Sequence, residues 1–437
     1  MAEPAVPAPA PPSGRTSLLR ERRFAAVWGG SAIAAMSQSI TTITIFWLVF
    51  AETHSAYDVA AVGVAQFVPL VGYGMFSGVL ADRFNRLRLM TLANIVQAVA
   101  IGVLSLSIVL AGFHLLVVLG TIVTISVGQS TFRPARNSAL PSLVTEDALG
   151  SANGLVMSSE QAASILGTPL AGLLIGIAGA TATLLVNGVG YVLAALMILV
   201  IGISAIPRAG PEISRSGPDT SFFSQLKEGF VYLRTQPAIV KLTVESCGAN
   251  FFLNLIDPFL VVYAVSILHG DALVFAAVSV ALALGFAVGA LMVSALRSER
   301  HWGISYGAWC GLGSLCLLAL VLYPSTLVVT VALFLTGFGF GLGNATFITG
   351  VQKSVPSSLL GRYFSLDEVG SLAASPAGVV VGGILIGTFG IHLDYLVGAL
   401  GAAGSNLGVL AFSDVRKLAV IPTPPEAIVS GSVTRGG

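Results

Sequence analysis

Apolar residues run through this chain in long blocks that short polar segments separate. Each block has the roughly 20 charge-poor residues that an α-helix needs to cross a bilayer. Barrel strands are shorter and alternate in polarity, and hydrocarbon does not tolerate an open sheet edge. The pattern therefore predicts an all-α membrane protein with twelve transmembrane helices. The predicted spans are 25–50, 59–81, 90–111, 115–132, 148–176, 182–204, 239–266, 273–296, 303–322, 327–350, 365–388 and 393–412.

The composition agrees with a bilayer as the solvent. Hydrophobic residues make up 55% of the chain and charged residues 9%, with a mean hydropathy of +0.90. A soluble domain carries about 25% charged residues, so this chain could not cover a water-facing surface. The net charge of +1 gives no reason to expect a nucleic-acid partner.

The placement of charge predicts the orientation. With these spans, all 21 lysines and arginines fall on one side, including Arg136 in the loop after the fourth span. The other loops and their edges hold Glu52, Asp58, Asp271 and Asp394 but no lysine or arginine. The positive-inside rule places the basic side, with both termini, in the cytoplasm. We expect a multi-pass protein of the inner or plasma membrane.

The chain divides into two similar halves. The segment from Gly172 to Gly179 matches the segment from Gly383 to Gly390, which indicates two six-helix pseudo-repeats. Parallel repeats of this kind place a substrate near the midplane between them. The predicted units are a disordered tail 1–17, a six-helix bundle 18–205, a cytoplasmic linker 206–237, a second bundle 238–413 and a cytoplasmic tail 414–437.

A short basic motif joins the second and third spans. Residues 78–88 read Gly-Val-Leu-Ala-Asp-Arg-Phe-Asn-Arg-Leu-Arg. The motif resembles the cytoplasmic loop of the major facilitator superfamily, Gly-x-x-x-Asp-Arg-x-Gly-x-Arg-Arg. Asn85 replaces the second glycine, and we expect it to suit the turn because asparagine tolerates left-handed geometry.

The resemblance implies a fold and a gating role. It implies the major facilitator fold, in which this loop latches the two halves in the outward-facing state. The implied gating residues are Gly78, Asp82, Arg83, Arg86 and Arg88.

A second group of residues indicates one branch of that family. Residues 132–141, Ala152-Asn153, Val355-Pro356 and Gly361-Arg362 resemble exporters of enterobactin-type siderophores and of macrolides or several drugs. This resemblance implies secondary transport of a small molecule.

Four carboxylates lie within predicted spans, where ionisable side chains are costly and usually functional. Glu160 and Asp257 are candidate proton-coupling groups, with no lysine or arginine expected at their depth. Glu160 could instead be a neutral acid bonded to a neighbouring helix, and Asp257 a helix cap. Asp367 and Glu368, near the start of the eleventh span, are better explained as solvated or latch-forming acids.

Several polar side chains share helical faces with these acids. Asn153 lies on the face of Glu160, and Asn250 and Asn254 lie on that of Asp257. Gln38 and Gln66 either line the cavity or join helices by hydrogen bonds. Glu245 is set aside, because Lys241 one turn earlier offers it a partner.

The fifth span carries Gly167-Thr-Pro169-Leu-Ala-Gly172. It resembles the antiporter motif Gly-Pro-x-x-Gly-Gly of the same superfamily, which implies a softened helix that packs closely. Thr168 and Ala171 depart from that motif, which leaves the direction of transport open.

The leading functional prediction is proton-coupled export of an amphiphilic small molecule by alternating access. Proton-coupled uptake is the near alternative, and a non-transporting sensor or a lipid scramblase on the same scaffold is a different class. An enzyme is not expected, because HExxH, GxSxG and phosphate-binding motifs are absent from the sequence. We expect no cofactor, no metal and a monomer in the bilayer.

Overall fold

The computed structural model describes residues 18–19, 21–145, 148–202, 237–293, 295–296, 301–354 and 357–418. These residues form helices and short connections, with no strand among them, which confirms the all-α fold class. The predicted tail 1–17 and almost all of the predicted linker and C-terminal tail lie outside the described residues. The helices are α1 Arg22–Thr53, α2 Ala56–Arg83, α3 Arg86–Ala111, α4 Leu115–Ala139, α5 and α6 as the two parts of Leu149–Gly202, α7 Pro237–Ile256, α8 Ala272–Leu291, α9 Trp302–Cys316, α10 Thr326–Ser354, α11 Ser357–Phe389 and α12 Ile391–Gly408.

Short segments extend several of these helices. A 3₁₀ turn at Asp257–Phe259 leads from α7 into the helix Leu260–Ser266, and Ala319–Leu322 follows α9. Nine stretches of the described residues are long and apolar enough to cross a membrane. The longest, Leu149–Leu199, has 51 residues, which is more than twice the length that a bilayer core requires. The count of twelve crossings stays a prediction.

The pseudo-repeat is visible in the backbone. Gly179, with φ 81° and ψ 166°, separates α5 from α6, and Gly390, with φ 88° and ψ 163°, separates α11 from α12. Both need the positive φ that glycine adopts without strain. His54, just after α1, and His269, three residues beyond the helix Leu260–Ser266, share the uncommon φ values of 51° and 52°. The two halves therefore turn in the same way at matching junctions.

The halves are joined at one end of the bundle. We call the end that carries Arg83, Arg86, Arg136 and Lys241 the basic end, and the other the opposite end. At the opposite end, one apolar cluster contains buried residues of both halves, among them Val49 of α1 and Phe275 of α8.

At the basic end, the described apolar residues form two separate clusters. One belongs to the first half and the other to the second. The apolar core is therefore continuous between the halves at the opposite end only.

Two seams make this junction, and the repeat relates them. In the first seam, α5 packs on α8: a Cβ added at Gly172 would overlap the Cβ of Ala276, and one at Gly176 would lie 2.9 Å from the Leu273 side chain. Glycine at these positions lets the helices approach closely.

In the second seam, α11 packs on α2. A Cβ at Gly383 would lie 2.5 Å from the Cβ of Ala60, and one at Gly387 would overlap the ring of Tyr57. Gly172 and Gly383 hold matching places in the repeat, so the seams have the same construction.

Candidate functional site

An ion pair lies inside the first half. Arg136 of α4 donates from Nη1 to Oε1 of Glu160 in α5. The Arg136 side chain is 8% exposed and the Glu160 side chain 21%. The prediction that Glu160 has no cationic partner at its depth is therefore wrong.

The error came from the end of the fourth helix. The predicted span stopped at residue 132 and left Arg136 in a loop, whereas α4 continues to Ala139 and its apolar crossing to Ser142. The seven additional helical residues, 133–139, include Arg136 and place it inside the bundle. Arg136 and Glu160 are 24 positions apart in sequence, so no local spacing indicates the contact.

The guanidinium of Arg136 is fixed on a second side. Its Nε and Nη2 donate to Oδ1 of Asn137 at 3.1 Å and 2.9 Å. An arginine held in this way offers Glu160 a preorganised planar donor. The Glu160 side chain keeps 21% of its surface exposed, so the ion pair is only partly buried.

The remainder of α5 packs on α1. Gly167 is buried, and a Cβ there would lie 2.8 Å from the carbonyl oxygen of Met36. Ser39 of α1 donates to the carbonyl of Ser164 at 2.9 Å and lies 3.0 Å from the hydroxyl of Thr168.

The helix runs on through Pro169, and its non-helical residue is Gly179. Gly172 lies in the seam with α8, so this motif serves close packing on two sides.

The predicted polar face of α7 is occupied largely by contacts within the helix. Asn250 donates to the carbonyl of Ser246 at 2.9 Å, and Asn254 to that of Asn250 at 2.8 Å. Asn254 also donates to the hydroxyl of Ser375 in α11 at 3.2 Å.

Asp257 begins the 3₁₀ turn with an exposed side chain. Asn153 of α5 likewise donates to its own helix, at the carbonyl of Leu149.

The structure does not bring all the predicted cavity residues together. Gln38 and Gln66 are half-buried on α1 and α2. The side chains of Asp367 and Glu368 in α11 lie outside the described residues, so their role stays a prediction. Among the residues that the structure does describe, no group of three or more His, Cys, Asp or Glu side chains could hold a metal ion.

The basic loop motif is described in part. Gly78 and Asp82 lie in the last turns of α2, and their surroundings are outside the described residues. Arg83 and Arg88 are exposed.

Asn85 begins α3 with φ −62°, not in the expected left-handed conformation. Its side chain accepts from the backbone nitrogen of Arg88 at 3.1 Å. It therefore satisfies the turn as an N-cap. Arg86 donates to the carbonyl of Ser138 at 2.8 Å, which ties this loop to the end of α4.

The second half contains charged contacts that the sequence analysis assigned differently. Lys241 donates to Oδ2 of Asp414 at 2.6 Å and lies 4.7 Å from the centre of the Phe412 ring. Glu245, predicted to pair with Lys241, is instead buried and accepts a hydrogen bond from Tyr306 Oη at 2.7 Å.

Asp394 lies at a loop edge, as the sequence predicts, but its side chain is buried. It lies in the first turn of α12 with 0% of its surface exposed. The sequence signal that could have found it is an acid four residues after a helix-separating glycine.

A bundle of apolar helices in two related halves, with charged side chains buried inside it, is typical of a secondary transporter. The sequence profile of the Major Facilitator Superfamily matches residues 27–370. The chain belongs to this superfamily, and it is a multi-pass membrane transporter.

The relatives support the resemblance to efflux proteins. The macrolide efflux protein A of Streptococcus pyogenes is 22% identical over 86% of this chain and 92% of its own length. The multidrug efflux pump Tap of Mycobacterium tuberculosis is 25% identical over 89% of this chain and 93% of its own. An uncharacterised transporter of this superfamily from Bacillus subtilis, YfiS, is 25% identical over 84% and 87%.

Solved structures share the fold. A bacterial homologue of the iron transporter ferroportin superposes with a TM-score of 0.69 at 17% identity, over 90% of this chain and 99% of that one. The nucleoside transporter NupG gives the same TM-score and coverage at 12% identity. At these identities the likeness concerns the fold alone. Relatives and solved structures alike are transporters, which agrees with a non-enzymatic protein.

Proposed function

We propose that the protein exports an amphiphilic small molecule across the cell membrane in exchange for protons, by alternating access. The observation that carries the proposal is the partly buried ion pair between Arg136 and Glu160. The names of the relatives, macrolide and multidrug efflux proteins, support the direction and the substrate class. The basic end faces the cytoplasm in this proposal, as the positive-inside rule expects.

The ion pair can link a proton to the shape of the first half. With Glu160 ionised, Arg136 holds α4 and α5 together. A proton on Glu160 neutralises the carboxylate and leaves the guanidinium, among the described residues, with its hydrogen bonds to Asn137. Ligands drive a transporter only when they bind its conformations with different affinity. Substrate and proton meet that condition if they compete for the space around Glu160, so that only one of them is bound there at a time.

The split core supports alternating access. The apolar core joins the halves at the opposite end and is divided at the basic end. A cavity open towards the cytoplasm fits this arrangement, and transport requires the two glycine seams to part. The loop motif with Asp82 and Arg83 would close the basic end in the other state. Asp82→Asn should then slow turnover at normal protein levels, and undiminished turnover would remove the latch role.

A disulfide across the second seam tests the conformational cycle. The Cβ of a residue at Gly63 would lie 3.8 Å from the Cβ of Val379, which is the mean separation in a disulfide, about 3.8 Å. Oxidised Gly63→Cys/Val379→Cys protein should stop transporting and recover on reduction. Each single cysteine variant, treated alike, is the control, and transport by the fully cross-linked protein would refute the alternating-access proposal.

Transport itself is tested with a panel of dyes, macrolides and siderophores. Cells that produce the protein should extrude some members of the panel, and collapse of the proton gradient should abolish the extrusion. Gradient-driven accumulation would favour the uptake alternative. Lipid flip-flop without flux of any panel member would favour a scramblase.

A further inference from the structure

Asp394 is a buried acid that the proposed ion pair does not use. Its surface is 0% exposed, and neither Oδ1 nor Oδ2 has a hydrogen-bond partner among the described residues. It lies in the first turn of α12, whose N-cap is Gly390. Buried polar atoms nearly always have a partner, so two orphan oxygens on one carboxyl require an explanation.

In the described part of the chain, the helices that pack on α12 offer no lysine or arginine at the opposite end to neutralise it. α12 packs against α7, α9, α11 and the short helix Ala319–Leu322. Lysine and arginine are absent from 242–296, 301–352 and 363–415, which contain the parts of these helices at the opposite end. The titratable groups on those parts are Asp257, Tyr263, Cys316, Tyr323, His392 and Tyr395.

Tyr395, the next residue after Asp394, and Tyr263, which stacks on Tyr395, are already engaged. Tyr395 donates to the carbonyl of Ile256 at 3.3 Å, and Tyr263 donates to that of Leu320 at 2.6 Å. Their rings stack at 4.9 Å. Since both hydroxyl protons point to backbone carbonyls, neither serves the carboxyl of Asp394. The positive end of α12 favours a negative charge nearby, but it does not replace the hydrogen bonds that a buried carboxylate needs.

We propose that Asp394 is a second proton-binding site, in which the carboxyl holds a proton while the opposite end is closed and exchanges it when that end opens. A carboxyl with neither a cation nor a hydrogen-bond donor is kept in its neutral form by burial. The ligand is therefore a proton, bound to one carboxylate oxygen and returned to water.

The route to water lies between the halves. Ile391, one turn before Asp394, lines a cavity of about 430 Å³ with Phe50 and Tyr57 of the first half and Gly387 of α11. The second seam, in which Tyr57 packs on Gly387, closes this cavity on one side. Parting of that seam would widen the cavity beside α12, and exchange of the Asp394 proton would follow the conformational cycle.

Infrared spectroscopy tests the proton directly. The purified protein is labelled with ¹³C on the aspartate carboxyl carbon, and its protonated-carboxyl band is recorded near neutral pH. We expect a band that shifts with this label, that Asp394→Asn removes, and that Asp257→Asn retains. Asp394→Glu should restore a band that no longer responds to labelled aspartate.

The second arm measures exchange of that proton for deuterium. The Gly63→Cys/Val379→Cys disulfide should slow exchange at least tenfold relative to the reduced protein.

Absence of an aspartate band in the wild type, or its retention in Asp394→Asn, overturns the site. If Asp394→Asn does not fold, the Asp394→Glu spectrum decides. Equal exchange with and without the disulfide overturns the link to the opposite end.

This inference extends the proposed proton-coupled function but can fail separately from it. The infrared band reports on Asp394 whether or not the protein exports anything. A gradient-independent transporter could still show the band, and loss of the band would leave the Arg136–Glu160 proposal intact.

Discussion

Glu160 and Asp394 show how one kind of side chain behaves in two surroundings of the same bundle. Glu160 lies in the first half beside Arg136 and keeps 21% of its side chain exposed. Asp394 lies in the second half with no exposed surface and no hydrogen-bond partner among the described residues. A paired acid can remain ionised and still reach solvent, whereas an unpartnered one has to be neutral while it is buried. The comparison therefore sets a partly exposed acid in an ion pair against a fully buried acid with no hydrogen-bond partner among the described residues.

The largest stability effect should come from separating the ion pair. Arg136→Gln leaves a partly buried carboxylate without its cation, and we expect a loss of about 2 kcal/mol in the free energy of unfolding. Fully buried pairs cost about 3–5 kcal/mol when one partner is removed, and the exposure of Glu160 reduces that figure. Unfolding in mixed detergent micelles measures it.

The double variant sharpens this result. Arg136→Gln/Glu160→Gln removes both charges and should recover about 1 kcal/mol or more of the loss, as coupled neighbours do in double-mutant cycles. Strictly additive single losses would mean that the pair contributes nothing to stability.

Asp394→Asn should have a smaller effect on stability. The carboxyl has no hydrogen bond to the described residues that the change could remove, and asparagine has nearly the same shape. We expect the free energy of unfolding to change by less than about 1 kcal/mol, by the same micelle measurement. A loss as large as that of Arg136→Gln would reveal a partner for Asp394 and break the contrast between the two acids.

The smallest effect concerns a third acid, Asp414, which is paired with Lys241 at the surface of the basic end. The hydrogen bond from Lys241, then its charge, holds the pKa of Asp414 below its usual range. The pair therefore stabilises the folded protein above the ordinary aspartate pKa of about 3.9, and the contribution is lost as the pH falls through the lowered pKa.

The stability of Asp414→Asn, measured against pH, checks this sign. The variant should be slightly less stable than the wild type at neutral pH and equal to it in acid. A difference that grows on acidification would show that Lys241 is not the partner that matters.

The sequence predicted the features that depend on local pattern. Long apolar blocks indicate helices because nothing else satisfies the backbone in lipid, and the match between Gly172–Gly179 and Gly383–Gly390 reappears as two similar glycine breaks. The chain could not show which side chains meet across helices. The contact between Arg136 and Glu160 depends on the seven helical residues 133–139 at the end of α4 and on how α5 is rotated.

The burial of Asp394 is likewise a feature that local sequence could not predict. An acid in the first turn of a helix favours the positive end of the helix whether it faces water or the core. Only the packing of α7 and α9 on α12 decides between these, and that packing is set by residues more than 70 positions away in sequence.

Uphill transport by Glu160→Gln tests the central claim, that the carboxyl of Glu160 carries the coupled proton. The amide keeps the size of the protonated acid but cannot release a proton. In proteoliposomes, a gradient of about two pH units supplies about 2.7 kcal/mol per proton, and wild type should concentrate a transported dye against its gradient. The Gln variant should lose this uphill transport and keep equilibrium exchange, while Glu52→Gln, an exposed acid at the opposite end, should behave as wild type. Uphill transport by Glu160→Gln equal to that of the wild type would contradict the account.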